Sequence, residues 1–247
     1  MTDEIPDTST TPSVRPKASH RKGRTPETSR TPRVPTQERS KARYLAIIKA
    51  AEELLERSNI EDLSLYDIAK QSGIAPASVH YLFSTITAVH LELHRLHNDK
   101  LTERVIESSA PLIAQRNPSW QEWIYASMKE ARDALNSSRP MSEVMLGPTM
   151  HRQTRLTNLK TNFSLGQKAV EYMHAVFIMP DIPHLDRYYG YAAEFSDALW
   201  SGAYSAHGRI DDETFAESVR ATVAYLRCFL PETLHLRTSK PQPLFEA

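Results

Sequence analysis

The chain has 247 residues, of which 40% are hydrophobic, enough to bury one sizeable core or two modest domains. Only seven residues are glycine, apolar residues recur at helical spacing, and no alternating strand pattern occurs, so we predict an all-α protein. A single cysteine, Cys228, excludes an internal disulfide, and no apolar stretch is long enough to cross a membrane. Because a secretory leader is also absent, we expect a cytoplasmic protein without membrane contact.

The formal net charge is zero, but the charges are unevenly distributed. Residues 1–43 contain ten Lys or Arg against five Asp or Glu, so the remainder of the chain is acidic. A basic front of this kind is typical of a surface that binds DNA. Residues 1–38 are rich in Thr, Ser, Pro and Arg and have few large apolar side chains, which predicts a disordered arm. Such an arm either contacts phosphates or is a passive tail.

Residues 43–57 form the first predicted helix, with apolar residues on one stripe. Two short helices joined by a tight turn are predicted over residues 59–83. Ser64 and Asp67 have the spacing of a capping box, and Gly73 can end the first short helix in the left-handed conformation.

Pro76 suits the first turn of the second short helix, because that position needs no backbone N–H. Val79 and Phe83 share the inward face of this helix. The outward face carries Ala77, Ser78, His80 and Tyr81. In a helix-turn-helix such a face enters the major groove, whereas the same turn in a helical enzyme would be an ordinary corner.

The joint pattern of these three helices resembles the TetR family of bacterial transcriptional regulators. The matching positions extend over residues 40–91 and are Ile47-Ile48, Ala50-Ala51, Ile68-Ala69, Gly73-Ile74 and Phe83. The resemblance implies an N-terminal three-helix DNA-binding domain over residues 39–86. The expected DNA-binding residues are Arg43, Ser64, Pro76, Ala77, Ser78, His80, Tyr81 and Thr85.

The chain departs from the family pattern at four positions. Asn59 replaces a usual Gly, and Asn tolerates a left-handed bend there. Ala75 replaces a hydroxyl residue, and His80 replaces a Tyr that contacts phosphate. Ile86 stands where the family has a Lys that anchors the DNA backbone, so another basic group has to supply that contact.

A long helix is predicted from about Thr87 to Ala114, with Thr85 as its cap. His90, His94 and His97 lie on one face of this helix, since separations of four and three residues return to nearly the same angle. Three histidines at this spacing are compatible with a zinc site, but the same face continues into apolar residues, which favours packing near a domain junction.

Further helices are predicted to form a ligand-binding and dimerisation domain over residues 87–232, followed by a C-terminal tail over residues 233–247. One of them runs from about Arg155 to Met179. A packed core would explain the methionines and aromatic residues of this domain, but the family resemblance implies a ligand cavity. The expected cavity residues are Trp123, Met128, Arg132, Met145, Phe163, Met173 and His174.

Two last helices are predicted from about His184 to His207 and from Asp211 to Leu230. The resemblance implies that they meet their copies across a twofold axis, and small residues on the first helix permit a close approach. The expected interface residues are Tyr191, Phe195, Ala198, Gly202, Ala206, Val219, Val223 and Leu226.

The sequence thus predicts a DNA-binding repressor that binds a palindromic site in double-stranded DNA as a homodimer and responds to a small-molecule effector. No cofactor and no catalytic residue are expected, because the chain has no Gly-rich phosphate loop, no nucleophile motif and no paired-carboxylate motif. The alternatives are a metal-dependent helical enzyme that uses the three histidines, and a DNA-binding protein without an effector.

Overall fold

The computed structural model describes residues 38–116, 118–148 and 152–237. The predicted arm, apart from Glu38, lies outside the described residues. The helices are α1 Glu38–Leu55, a 3₁₀ turn Ile60–Asp62, α2 Leu65–Ser72, α3 Pro76–Leu82, α4 Ile86–Arg116, α5 Trp120–Asn136, α6 Arg139–Leu146, α7 Arg152–Val176, α8 Leu185–His207 and α9 Asp212–Leu226. The prediction of an all-α fold is therefore confirmed for this part of the chain, and none of these helices is long and apolar enough to span a membrane.

Helices α1, α2 and α3 pack around one core, and the first turns of α4 belong to it. Ile47, Leu55, Ile68 and Phe83 are fully buried there. Ile86, the first residue of α4, is partly buried against the same core. The apolar side chain at this position therefore packs inward and contributes to the core.

The bend expected at Asn59 takes a different form. The residue is extended, with φ −83° and ψ 160°, so no left-handed conformation is needed there. Its side-chain oxygen instead accepts a hydrogen bond from Arg139 Nη2 at 3.1 Å. The residue is thus used as a contact to α6.

Helices α7 and α8 run antiparallel in close contact. Any Cβ on Gly166 would lie 2.3 Å from the Asp186 carbonyl oxygen, and one on Gly190 would lie 2.4 Å from the Phe163 ring. Only glycine fits at this crossing. The two helices are fixed side by side, and α9 packs along α8.

Helix α7 ends at Val176, three residues before the predicted end. The chain turns there into an extended segment, in which Ile178 N donates to His235 O at 2.7 Å and Arg237 N donates to Val176 O at 2.8 Å. This pairing satisfies the Val176 carbonyl, which a longer helix would have left without a donor because Pro180 has no backbone N–H. It also fixes residues 234–237 of the predicted tail against the second domain.

Candidate functional site

The turn between α2 and α3 is built by local signals. Ser64 Oγ accepts a hydrogen bond from Asp67 N at 3.1 Å, and Gly73 has a left-handed φ of 67°. Val79 and Phe83 have no exposed surface, and the Phe83 ring stacks on Tyr44 of α1 with centroids 5.7 Å apart. Helix α3 is therefore held in one orientation by the core beneath it.

The outward face of α3 is open. Pro76, Ala77 and His80 are exposed, Ser78 is half-buried, and Tyr81 is 86% exposed. An aromatic side chain so exposed beside a packed core has room to contact a partner. This face is the candidate surface for base contacts.

The other predicted DNA-binding residues have structural partners as well. Arg43 is exposed on α1 and donates from Nε to Arg39 O at 3.3 Å. Thr85 Oγ1 accepts from Ala88 N at 3.2 Å and caps α4, while Ser64 caps α2.

Tyr66, near the start of α2, is 70% exposed, and the prediction did not include it. Its signal in the sequence is a large aromatic residue off the apolar stripe.

A cavity of about 230 Å³ lies between α4, α5, α7 and α8. Its wall is mostly apolar. Of the predicted ligand-binding residues, Trp123, Met128 and Met145 lie on this wall. Trp123 stacks on Tyr172, with ring centroids 5.4 Å apart and an angle of 15° between the rings.

The other four predicted ligand-binding residues lie away from the cavity. Arg132 pairs with Asp133 and Asp212 and covers the Phe215 ring, with Cζ 4.3 Å from its centroid. The remaining three lie on α7, whose other face lines the cavity: Phe163 packs against Tyr191, Met173 is fully buried beside Tyr189, and His174 is exposed.

One end of the cavity is polar, and the sequence interpretation did not identify it. Asn158 Nδ2 donates to Asp197 Oδ2 at 2.9 Å, and Asn162 Nδ2 donates to Glu194 Oε1 at 2.6 Å. Arg155 forms ion pairs with both carboxylates, at 2.5 Å to Glu194 and 3.3 Å to Asp197. Burial, and then the charge of Glu194, raise the pKa of Asp197 above its ordinary value.

The three histidines of α4 do not converge. His94 Nε2 lies 3.4 Å from Asn158 Oδ1 on α7, whereas His97 Nε2 lies 3.4 Å from Glu52 Oε1 on α1. Burial lowers the pKa of both rings, that of His97 to about 4. Within the described residues, no group of three or more His, Cys, Asp or Glu is arranged to hold a metal ion.

Helix α8 exposes a stripe of apolar and small residues. Tyr191, Phe195 and Leu199 are between 37% and 40% exposed, and Ala198, Gly202 and Ala206 are exposed beside them. On α9, Val219 and Val223 are half-buried. Leu226 has no exposed surface, because it packs inside the subunit core, so its predicted interface contact is wrong.

A short helix, α6, joins the two halves of the chain. Glu143 accepts hydrogen bonds from Ile60 N at 2.9 Å and from Tyr204 Oη at 2.7 Å, and it is 5% exposed. Arg139 donates to Leu55 O at 2.9 Å. These two side chains connect the end of α1 and the following 3₁₀ turn to α6 and α8.

Residues 47–93 match the family model described as "Bacterial regulatory proteins, tetR family". This range contains the core of α1, both short helices and the start of α4. No curated protein sequence matches the chain significantly.

Solved structures of similar fold cover most of the chain. A TetR-family transcriptional regulator from Streptomyces coelicolor has a TM-score of 0.59 at 20% identity, covering 76% of this chain and 99% of that chain. SmeT, the repressor of the Stenotrophomonas maltophilia multidrug efflux pump SmeDEF, has a TM-score of 0.55 at 13% identity, covering 84% and 100%. A SmeT–triclosan complex has a TM-score of 0.51 at 15% identity, covering 83% and 100%. At such identities the likeness establishes the fold.

Proposed function

Because the chain belongs to the TetR family of bacterial transcriptional regulators, we propose that it is a DNA-binding repressor that binds a palindromic operator as a homodimer. We propose further that it leaves the operator when an effector occupies the cavity. It acts by binding and not by catalysis. The observation that carries the proposal is the course of α4. Its first turns belong to the core under α3, and its later residues Asn98, Leu101, Thr102 and Val105 line the cavity.

An effector that binds better to one orientation of α4 shifts the equilibrium toward that orientation and so moves α3. The free energy of this shift cannot exceed the difference between the effector's binding free energies for the two states. The proposal is tested by capturing genomic DNA fragments with the purified protein and using the enriched sequence as operator. Enrichment of a palindrome supports it, whereas retention of fragments without a shared sequence contradicts it.

The outward face of α3 is proposed to read bases, because Tyr81 is open and the helix beneath it is fixed. Tyr81→Ala should weaken operator binding at least tenfold, since a base contact contributes about 1–3 kcal/mol. Fluorescence anisotropy with a labelled operator measures the loss. Tyr125→Ala is the matched control, because Tyr125 is a 48% exposed tyrosine on α5. If the two variants bind the operator with equal affinity, Tyr81 does not contact DNA.

The exposed stripe on α8 is proposed as the dimer interface. Gly202 is the sharpest probe of it, because a Cβ built there meets no atom within 4 Å in the described part of the subunit. Gly202→Leu therefore fits the monomer and obstructs only a close neighbour, and we expect a shift toward monomer together with loss of operator binding. Sedimentation velocity at low concentration measures the shift, with Ser164→Leu on the exposed face of α7 as control. A Gly202→Leu protein that stays fully dimeric would place the interface elsewhere.

A further inference from the structure

The cavity is elongated. Its lining residues on α7 extend from Asn158 to Tyr172, fourteen residues apart, which corresponds to about 21 Å along a helix. Because α8 runs antiparallel, Asp197 lies beside Asn158 at one end of the cavity, and Tyr189 lies beside Met173 toward the other. A molecule that fills this space has two distinguishable ends.

The two ends differ in chemistry. The far end is aromatic, with the stacked pair of Trp123 and Tyr172. The indole N–H of Trp123 is buried and has no acceptor in the described part of the chain. The near end, where Asn158 contacts His94 of α4 and Asp197 of α8, is polar and charged.

The charges at the near end do not balance. Asp197 and Glu194 are both less than a fifth exposed, and among the described residues Arg155 is the cation that pairs with both, so in this part of the chain one negative charge is left over. His94 does not supply the missing charge, because burial lowers its pKa and keeps the ring neutral. Farther along α7, Lys168 and Glu171 both line the cavity, so their formal charges sum to zero.

Asp197 has capacity for another donor. Among the described residues, its hydrogen bonds come from Asn158 and Arg155, and both end on Oδ2. A carboxylate accepts through both oxygens, so Oδ1 can receive a donor from a bound molecule. An ammonium group there would form a charge-assisted hydrogen bond and would neutralise the surplus charge, whereas a carboxylate would be repelled.

We propose that the effector is an elongated amphipathic amine, whose cationic head binds Asp197 and whose apolar body extends along α7 toward the Trp123–Tyr172 pair. This inference rests on the proposed effector function and names the chemical class of the ligand. The head would lie beside Asn158, which contacts His94 of α4 at 3.4 Å. A molecule bound at Asp197 can therefore affect α4 through Asn158 and His94, and the first turns of α4 pack in the core under α3.

The class is tested at pH 7 with three probes that share one apolar body: decylamine and decanoate, each below its micelle concentration, and 1-decanol below its solubility limit. A change in the intensity or emission wavelength of tryptophan fluorescence reports binding, because Trp123 and Trp200 line the cavity. We expect the full-length protein to bind decylamine at least tenfold more tightly than either other probe. Asp197→Asn should abolish that preference and leave the 1-decanol affinity within threefold.

Glu171→Gln is the matched control, because it removes another wall carboxylate and should keep the preference for the amine. Circular dichroism of both variants checks the fold. Tighter binding of decanoate, a preference that survives Asp197→Asn, or binding of none of the probes would overturn the inference.

A second measurement separates this inference from the proposed function. Each probe is titrated onto the complex of the protein with its labelled operator, with DNA alone as a control for direct amine binding. If decylamine binds in an Asp197-dependent way without releasing DNA, the ligand class stands and the regulatory role fails. If decanoate or 1-decanol releases DNA and decylamine does not, the regulatory role stands and the ligand class fails.

Discussion

The two ends of α4 lie in different kinds of interior. At its start, Val89 and Leu93 are buried without exposed surface in the same core as Phe83. Farther along, Leu101 and Val105 are half-buried and line an empty space of about 230 Å³. Close packing fixes α3 in one orientation, whereas the second domain retains room for another molecule. The proposed function requires both properties, because a helix that reads bases needs a fixed geometry and an effector needs volume.

The first prediction tests this difference through matched truncations. Phe83→Ala should lower the free energy of unfolding by about 3–5 kcal/mol, because it leaves a void among close-packed neighbours. Met128→Ala, on the cavity wall, should cost only about 1 kcal/mol, since one side of that residue already lacks contact atoms. Urea titration followed by circular dichroism measures both. Equal losses would show that the two interiors are packed alike.

Local signals in the sequence predicted the first region well. Ser64 and Gly73 act within a few residues of themselves, so their roles as cap and turn could be predicted without any tertiary contact. The cap at Asp211 is of the same kind. Such features depend on backbone groups whose positions are fixed by the helix itself. The capping box predicted with Asp67 is only half formed, because the Asp67 carboxylate accepts from Ser64 Oγ and not from the Ser64 backbone N–H.

The cavity wall was less predictable, because it depends on the rotation of α7 against α8. Phe163 and Met173 share the apolar character of Trp123 and Met128, but they face Tyr191 and Tyr189 instead of the cavity. Helical spacing identifies an apolar face and does not tell which neighbour it meets.

The polar end was missed for a related reason. Asn158 and Asp197 are 39 residues apart in sequence, and only the antiparallel packing of α7 and α8 brings them within 2.9 Å.

The second prediction concerns the joint between the two regions. Glu143→Ala removes the acceptor for Ile60 N and Tyr204 Oη, both in a buried site. Leaving buried donors unpaired should lower the free energy of unfolding by about 2 kcal/mol. The control is Glu217→Ala, because Glu217 is exposed and its pair with Arg220 should contribute less than about 1 kcal/mol. A Glu143→Ala protein as stable as the control would mean that the two regions are held together by other contacts.

The third prediction uses His97 as a probe of how far water reaches into the first region. This residue lies where α4 packs on α1. The side chain is 5% exposed, and burial is the main reason that its pKa falls to about 4. The positive charge of Lys100 lowers it further, and Glu52, 3.4 Å away, has a pKa that burial raises. A folded pKa below the unfolded value of 6.5 means that the unfolded chain binds the proton first.

Stability from the neutral His97 ring is therefore fully present above pH 6.5 and is lost as the pH falls toward 4. Between pH 7 and 5.5 the wild type should lose about 1 kcal/mol through this residue. His97→Gln should remove that part of the acid sensitivity, whereas His174→Gln, at an exposed histidine of α7, should keep it. Urea midpoints measured at the two pH values give the comparison. If His97→Gln and His174→Gln lose the same free energy on acidification, the ring titrates as in water, and the packing of α4 on α1 is wetter than its burial indicates.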